Sequence, residues 1–464
     1  MTDVPTIRTL ETASLGDRSY LVHDGEVAFV VDPQRDIDRV LELAREDGVT
    51  VTHVLETHLH NDYVTGGLAL ARATGAAYLV NAADEVGFER RPVADGDVVE
   101  VSPRMSLLAV ATPGHTYTHL SYVLRSEGGD VAVFTGGSLL DGSTGRPDLL
   151  GAEHTHDLAR HQFASAHRLA AEVDDDAEVL PTHGFGSFCS SSQSSATSST
   201  IGAERRSNPV LTSEEEEWLA DLVAGLEEWP VYYVHMALLN AAGPAAPSLE
   251  PPSTVDAAVI RSRLEAGEWV VDLRTRTAFA AGHVPGSYNV GLDGQFSTYV
   301  GWLAPWGTPI TLLGESGEQV AEAQRELVRI GVDELAGQAT GGPEDWTDRP
   351  APFPRATFAD LADVRHHRPV SVVDVRRPAE FRDGHVEGAV NLPIHDVVAR
   401  ADDAPRGELW VHCTSGYRAS IAASVLAANG RTVVAVDDDF GKAGETGLPL
   451  VADGGRDAVP DPSA

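Results

Sequence analysis

An internal repeat of about 100 residues constrains the second half of this chain more than any other feature. The segment VVDLR at Val270–Arg274 matches the segment VVDVR at Val372–Arg376. Eleven residues after the aspartate of each segment comes a histidine, His283 in the first copy and His385 in the second. Each copy then continues into an apolar strand that a helix follows. The repeat therefore predicts two copies of one small α/β unit, each large enough to bury its own core.

The second copy contains a cysteine, Cys413, in a sequence context that favours a reactive thiol. A strand predicted at Leu409–Cys413 runs into the segment CTSGYR, and a helix is predicted over Ala419–Ala428. Backbone amides in such a loop and the N-terminus of the helix both stabilise a thiolate or an anionic persulfide. Arg418 closes the loop and adds positive charge for an anionic donor. A buried structural cysteine is the alternative. The remaining residues of this predicted substrate loop are Thr414, Ser415, Gly416 and Tyr417.

The first copy serves as an internal control. Aligning its strand Ile310–Leu313 with Leu409–His412 places Gly314 at the cysteine position and Gln319 at the arginine position. The thiol and the guanidinium are both absent. The first copy is therefore predicted to lack the chemistry of the second and to act as a spacer or a docking surface.

The cysteine loop resembles that of the rhodanese family, with Asp374 and His385 at matching positions. The resemblance implies sulfane-sulfur transfer, with Cys413 as the nucleophile, Arg418 positioning the substrate and Asp374 in a structural role. The related dual-specificity phosphatases carry a loop that is one residue longer, so the short loop favours sulfur over phosphate.

A histidine-rich pattern dominates the first 210 residues. The segment Glu56–Tyr63 reads ETHLHNDY at the end of a predicted strand, His53–Glu56. Two further histidines also follow apolar runs, and loops after strands can aim such side chains at one metal ion. Short apolar runs alternate here with helical stretches, which predicts an α/β sandwich. The predicted metal ligands are His58, His60, Asp62, His115 and His183.

This pattern resembles the metallo-β-lactamase superfamily over residues 6 to about 210, and within it the persulfide dioxygenase branch. The resemblance implies an αββα sandwich and one Fe(II), with Zn as an alternative, held by His58, His115 and an aspartate. Two residues depart from the family. Tyr63 replaces the last histidine of the motif, which disfavours two-metal hydrolysis. Gly137 replaces the aspartate, so that Asp62, His60, His183 or water completes the site, or the site is weakened.

Several nearby residues have less specific interpretations. Cys189 is interpreted as a buried or second-shell thiol, with a catalytic thiol as the alternative. Tyr63 either donates a hydrogen bond into the site or packs. Arg146 and Asp148 are predicted to form a structural salt bridge, and His119 is interpreted as a supporting or packing histidine.

Composition narrows the class of protein and its partners. The 464 residues carry a net charge of −36, which argues against nucleic acid and anionic membranes as partners. Two cysteines are too few for a disulfide framework, and no signal peptide or membrane segment is evident, so a cytoplasmic location is expected. The expected partners are thiosulfate or the persulfide of a low-molecular-weight thiol, and a homo-oligomer stays open.

The predicted architecture is α/β, an αββα sandwich followed by two three-layer α/β/α domains. The predicted domains are 1–250 with a helical extension, 254–347 and 354–455. Three functional hypotheses follow. The first is persulfide oxidation coupled to sulfur transfer at Cys413, the second is sulfur transfer alone on a degenerate metal scaffold, and the third is a non-enzymatic persulfide sensor or carrier.

Overall fold

The computed structural model describes residues 4–192 and 198–452. These residues form two compact units, one made of the described residues up to Ser248 with Arg325–Asp333, and the other of Leu249–Gln324 with the described residues from Glu334 onward. No helix within the described ranges has the length and apolar character needed to cross a lipid bilayer. The serine-rich composition of Ser190–Thr200 predicts a loop, either flexible or ordered beside the histidine site. Residues 193–197 of this segment lie outside the described residues.

Two six-stranded sheets form the first unit, in the orders β1-β2-β3-β4-β5-β6 and β12-β11-β10-β9-β8-β7. The strands of the first sheet are β1 Thr6–Thr12, β2 Asp17–His23, β3 Val27–Val31, β4 Thr50–Leu55, β5 Ala77–Asn81 and β6 Arg91–Val93. Those of the second are β7 Val98–Ser102, β8 Met105–Ala111, β9 Leu120–Ser126, β10 Gly129–Gly136, β11 Glu178–Pro181 and β12 Ser199–Thr200.

Seven helices accompany these sheets in the described part of the first unit. They are α1 Asp38–Asp47, α2 Gly67–Thr74, α3 Ala152–Glu172, α4 Ile201–Ser207, α5 Pro209–Thr212, α6 Glu215–Gly225 and α7 Tyr233–Ala242. The Ala- and Pro-rich composition of Ala241–Pro252 predicts a linker, but its first two residues belong to α7. The acidic first turn at Glu214–Glu217 and the apolar residues after it predict a helix over Thr212–Glu228. The observed helix α6 is shorter, because Leu226 is already extended.

The core of the first unit explains its layers. Alternate side chains of both sheets, among them Tyr20, Phe29, Tyr122 and Phe134, interdigitate in a cluster between the sheets. The opposite faces of the strands pack against helices, α1 and α2 on the first sheet and α3 to α6 on the second. Each sheet therefore buries both faces, which its nearly continuous apolar runs require.

The first repeat is built on a four-stranded parallel sheet in the order β14-β13-β15-β16. Its strands are β13 Trp269–Asp272, β14 Tyr288–Asn289, β15 Ile310–Gly314 and β16 Gly337–Thr340. Its helices are α8 Ala257–Glu265, α9 Arg276–Ala281, α10 Phe296–Leu303, α11 Gly317–Arg329 and α12 Pro343–Trp346.

The second repeat has a five-stranded parallel sheet, in the order β17-β22-β21-β18-β20, and a small pair β19-β23. Its strands are β17 Arg355–Ala356, β18 Ser371–Asp374, β19 His385–Val386, β20 Val390–Asn391, β21 Glu408–His412, β22 Thr432–Val436 and β23 Leu450–Val451. Its α-helices are α13 Phe358–His367, α14 Pro378–Asp383 and α15 Tyr417–Ala428, and 3-10 turns cover Ile394–Asp396, Ala401–Asp403 and Phe440–Thr446. The predicted fold class is confirmed.

Candidate metal centre and cysteine loop

Loops at one edge of the two sheets bring the predicted metal ligands together. The loop after β4 contributes His58, His60 and Asp62, the loop after β8 contributes His115, and the loop after β11 contributes His183. All five side chains are buried. Fully buried ionisable groups are stable only when their nitrogen and oxygen atoms have partners. The partners of these five side chains therefore determine what the site can bind.

His58, His115 and His183 each place one ring nitrogen within 4.8 Å of the others. In all three rings Nδ1 is held by an oxygen. The partners, in the same order, are Thr57 Oγ1 at 2.8 Å, the Arg146 carbonyl at 2.8 Å and Asp17 Oδ1 at 2.9 Å. The Thr57 hydroxyl gives its proton to Asp32 and therefore accepts from His58, while a carbonyl or a carboxylate only accepts. In all three rings Nδ1 therefore donates and Nε2 is left to face the centre.

The inward nitrogens fit a metal ion. His58 Nε2 lies 3.4 Å from His183 Nε2, and His115 Nε2 is buried without a hydrogen-bond partner. Burial lowers the pKa of His115 to about 3. Burial opposes the charge on His183 as well, but the carboxylates of Asp62 and Asp17 raise the pKa of that ring to about 10. Without a proton or an ion between them, the Nε2 lone pairs of His58 and His183 would face each other and repel. A proton or a metal ion on His183 Nε2 removes this repulsion.

His60 packs against Tyr63 and lies close to two carboxylates. The two rings stack with centroids 4.3 Å apart, and Tyr63 Oη lies 3.0 Å from His60 Nε2. The same nitrogen lies 3.3 Å from the carboxylates of Asp32 and Glu56. Although burial opposes it, these carboxylates raise the pKa of His60 to about 9. The two acids therefore favour the protonated form of His60, and its Nδ1 has no hydrogen-bond partner.

Asp32 ties three of the loops together. Among the described residues it is the only one other than glycine with a positive φ, at 50°. Its carboxylate accepts hydrogen bonds from the Thr57 amide at 2.7 Å, from the Thr57 hydroxyl at 2.7 Å and from the Thr182 hydroxyl. Strained backbone of this kind persists where the surroundings fix it, as these bonds do.

Asp62 lies on the outer side of His183. Its Oδ2 is 3.1 Å from His183 Nδ1, yet neither carboxylate oxygen has a hydrogen-bond partner. The thiol of Cys189 is buried nearby, and burial followed by the charge of Asp62 raises its pKa. The prediction that Cys189 is a buried thiol is confirmed.

Gly137 leaves no space for a side chain. A Cβ atom at this position would lie 2.6 Å from His115 Cγ and 2.9 Å from His115 Nε2, well inside van der Waals contact. A Cβ atom at Gly145 would lie 2.8 Å from His115 Nδ1. The His115 ring therefore fills a slot between two glycines. The ring now occupies the space that an aspartate at position 137 would need.

The supporting residues near this slot behave as predicted. His119 Nε2 accepts a hydrogen bond from the Gly137 amide at 3.0 Å, and His119 Nδ1 lies 2.9 Å from the Thr112 hydroxyl. Arg146 forms a bidentate ion pair with Asp148, both distances being 2.7 Å. The ion pair holds the backbone segment whose carbonyl accepts from His115.

Cys413 lies directly after β21 and is buried. Its Sγ accepts a hydrogen bond from the Gly416 amide at 3.1 Å, and α15 begins at Tyr417. Gly416 has a φ of 96°, and a Cβ atom there would lie 3.0 Å from Asp437 Cγ. Glycine is therefore required for the turn that aims this amide at the sulfur.

Arg418 is more tightly paired than the sequence suggested. Its two terminal nitrogens donate to Glu380 at 2.7 and 2.8 Å, and Nη2 also donates to Thr414 Oγ1 at 2.8 Å. The Thr414 hydroxyl donates to Glu380 at 3.0 Å. Burial opposes ionisation of Glu380, but Arg418 lowers the pKa of its carboxyl to about 2. The expected positive charge at this loop is therefore compensated by the Glu380 carboxylate, which the loop motif itself does not predict.

The loop also contacts the first repeat within the same unit. Tyr417 Oη donates to the carbonyl of Gly291 at 2.7 Å, and its ring centroid lies 5.9 Å from that of Tyr299. A Cβ atom at Gly294 would lie 2.6 Å from Tyr417 Cε2. Burial raises the pKa of Tyr299 to about 12, so this phenol stays neutral. The first repeat thus forms one wall beside the cysteine loop.

The two repeats share a framework and differ at the reactive positions. Asp374 accepts a hydrogen bond from Arg376 at 2.6 Å, as Asp272 does from Arg274 at 2.6 Å. This agrees with the structural role inferred for Asp374. The reactive set Cys413, Arg418 and Glu380 corresponds in the first repeat to Gly314, Gln319 and Ala278. All three members are lost together.

Comparison with known proteins assigns these folds to families. The model of the metallo-beta-lactamase superfamily matches residues 17–183, and that of the rhodanese-like domain matches residues 256–349 and 357–442. Hydroxyacylglutathione hydrolase of Polaromonas sp. is 32% identical over 171 residues, or 36% of this chain and 62% of that protein. The chain thus spans less than two thirds of this relative.

Two further similarities extend the comparison. The mitochondrial persulfide dioxygenase of Homo sapiens is 28% identical over 205 residues, which cover 43% of this chain and 74% of that protein. A solved metallo-beta-lactamase structure from Staphylococcus aureus superposes with a TM-score of 0.64 at 27% identity, covering 73% of this chain and 99% of that one. This chain therefore combines a domain of the metallo-β-lactamase superfamily with two tandem rhodanese-like domains.

Proposed function

We propose that this chain is an enzyme of sulfur metabolism that transfers sulfane sulfur through a persulfide on Cys413 and oxidises low-molecular-weight persulfides in its metal domain. The observation that carries the transfer activity is the hydrogen bond from the Gly416 amide to Cys413 Sγ, at the start of α15. An amide and a helix N-terminus aimed at sulfur stabilise both the thiolate and the persulfide anion.

The transfer step follows from this geometry. The Cys413 thiolate attacks the outer sulfur of thiosulfate, the sulfur–sulfur bond of the donor breaks, and sulfite leaves with the bonding electrons. The anionic persulfide on Cys413 is stabilised by the Gly416 amide. A nucleophilic acceptor such as cyanide then takes the terminal sulfur and regenerates the thiolate. Arg418, fixed by Glu380 and Thr414, positions the anionic donor.

Replacing the nucleophile tests this assignment. Cys413→Ser is expected to reduce thiosulfate:cyanide sulfur transfer to the background rate, because a serine hydroxyl forms no persulfide. Cys189→Ser is the matched control, since Cys189 is the second of the two cysteines and belongs to the other unit. Transfer that persists in Cys413→Ser, measured as thiocyanate formed, would show that the nucleophile is another group.

The metal domain is proposed to hold one Fe(II) through His58, His115 and nearby groups. When bound, such an ion supplies the activation of O2 and of the persulfide sulfur. The side chains of this chain hold the ligands in one tautomer and exclude water, as the buried Nδ1 contacts indicate. The human persulfide dioxygenase among the relatives supports this part of the proposal.

Oxygen consumption tests the dioxygenase activity. With iron loaded to one equivalent, we expect oxygen uptake that depends on a low-molecular-weight persulfide and that yields sulfite. His115→Ala should abolish the uptake while sulfur transfer at Cys413 continues. A fully iron-loaded protein that consumes no oxygen would rule this activity out.

A second candidate function is sulfur transfer alone, with the metal domain as a scaffold. It is favoured by Gly137, which removes the acidic ligand that the dioxygenase resemblance implies. Uptake of oxygen excludes it, whereas transfer without uptake supports it. A third candidate, a persulfide carrier without turnover, is excluded by multiple turnovers in the thiocyanate assay.

A further inference from the structure

The two glycines around His115 decide which third residue completes a metal site. A side chain at Gly137 cannot reach the centre while the His115 ring fills its place. The ligand that replaces an aspartate at position 137 must therefore come from another loop. His60, Asp62 and His183 are the neighbouring candidates among the described residues.

We infer that His58, His115 and His183 form a three-histidine site for a single divalent transition metal, with His183 in place of the absent carboxylate. The inference rests on the metal-binding part of the proposed function. One nitrogen of each ring lies within 4.8 Å of the others, and an oxygen partner holds Nδ1 in all three rings, which leaves Nε2 for the ion. Imidazole nitrogens suit zinc, iron, copper and nickel.

The spacing agrees with this assignment. Two imidazole nitrogens bound to one tetrahedral ion at about 2.0–2.1 Å lie about 3.3–3.4 Å apart. His58 Nε2 and His183 Nε2 are 3.4 Å apart. The third ring is placed comparably, with the His115 centroid 4.9 Å from that of His58 and 5.3 Å from that of His183.

The competing sets are less suitable. A set of Asp32, Glu56 and His60 uses two carboxylates that already pair with His60 Nε2. Asp32 also accepts hydrogen bonds from Thr57 and Thr182. A set of His60, Asp62 and His183 also lies within ligand distance, but there Asp62 approaches His183 at Nδ1, the nitrogen that donates to Asp17. Asp62 and Asp17 therefore act behind the site and orient His183, as carboxylates behind a metal-bound histidine commonly do.

The assignment makes an unusual prediction for Gly137. Restoring the family aspartate with Gly137→Asp should weaken metal binding, because its Cβ displaces His115. Gly137→Ala, which adds the Cβ without the carboxylate, should weaken binding to a similar degree. If the lost carboxylate were instead the defect of the site, Gly137→Asp would bind metal more tightly than the natural protein and Gly137→Ala would not.

Zinc is the probe, and the full-length chain is the sample. We expect one Zn2+ per chain, three imidazoles in the zinc X-ray absorption spectrum, and an affinity loss of about 100-fold or more in His183→Ala by chelator competition. His154→Ala, at a half-exposed histidine of α3, should bind zinc normally. Circular dichroism and thermal melting show whether each variant is folded. If His183→Ala does not fold, the two variants Gly137→Asp and Gly137→Ala test the inference instead.

The outcomes separate this inference from the proposed function. Two results would overturn the three-histidine site alone. One is that His183→Ala binds zinc with unchanged affinity. The other is that Gly137→Asp gains a carboxylate ligand and binds zinc more tightly. A natural protein that binds no zinc would overturn the metal centre itself, and sulfur transfer at Cys413 would still stand on its own assay.

Discussion

At the residue scale, the pairing of Arg418 with Glu380 changes the view of the cysteine loop. A guanidinium beside a sulfur nucleophile suggests a simple anion-binding charge. The structure shows instead a fork of two hydrogen bonds that fixes the plane of the guanidinium and includes Thr414. Such bidentate pairs add geometric precision as well as energy. Glu380 therefore fixes the orientation of Arg418 and of Thr414 within the loop.

This ion pair predicts a pH-dependent contribution to stability. The folded-state pKa of Glu380 is about 2, below its usual value of 4.5, so its contribution is complete above pH 4.5 and is lost as the pH falls towards 2. Because both side chains are partly exposed, we expect Glu380→Gln to lower the free energy of unfolding by about 1–2 kcal/mol at pH 7. Urea unfolding at pH 7 and pH 3 measures the difference.

The exposed Glu387 provides the comparison for that measurement. Glu387→Gln should change the free energy of unfolding little at either pH. If Glu380→Gln is as stable as the natural protein at pH 7, the ion pair contributes orientation without stability. A difference that grows at pH 3 would contradict the predicted sign.

Local sequence located the ligand histidines but not the groups that orient them. His58, His115 and His183 follow strands in short, distinctive segments, so their convergence was predictable. Asp17 lies 166 residues from His183 in the chain, and nothing in its neighbourhood marks it. The importance of Glu380 could have been inferred from the internal repeat. Ala278 is the corresponding residue of the first repeat, which also lacks the cysteine and the arginine.

At the scale of elements, the segment before α10 acts on the loop before α15. Tyr417, which begins α15, donates to Gly291 and lies against Gly294. The sequence predicted that the first repeat is a spacer or a docking surface. It did not predict this contact, because the register between two repeats depends on tertiary packing. The repeat that lacks a cysteine at this position therefore contacts the loop that contains Cys413.

A single methyl group tests this contact. Gly294→Ala places a Cβ 2.6 Å from Tyr417 Cε2, which forces the tyrosine beside Arg418 to move. Displacements near 1 Å at a reacting centre cost up to about 100-fold, so we expect kcat/KM for sulfur transfer to fall about 10- to 100-fold. The rate of thiocyanate formation measures this.

Gly317→Ala is the matched control for that variant. It lies at the start of α11, where an added Cβ meets no atom within 4 Å, and it should transfer sulfur normally. Equal rates in both variants would show that the wall formed by the first repeat does not influence the reactive loop.

At the scale of the whole molecule, the candidate metal centre and the cysteine loop belong to different compact units. The internal repeat and the histidine pattern were enough to predict this architecture, since both are long-range regularities of the sequence. The division has a thermodynamic consequence, because a ligand stabilises only the cooperative unit that binds it.

Metal should therefore stabilise one unit selectively. Zinc at 100 times its dissociation constant is expected to raise the free energy of unfolding of the histidine-bearing unit by about 2.7 kcal/mol. Calorimetry with zinc and with a chelator should show one transition that moves and one that does not. Sulfur transfer by the chelated protein should be unchanged, and equal shifts of both transitions would contradict the independence of the units.

The slot around His115 has a consequence for protein engineering of the site. An imidazole and a carboxylate compete there for one volume, so an aspartate introduced alone at position 137 meets the His115 ring rather than an open coordination position. Residue 137 and residue 115 are therefore coupled through the space they share. A redesign that adds an acidic side chain at position 137 has to change or move the histidine in the same step.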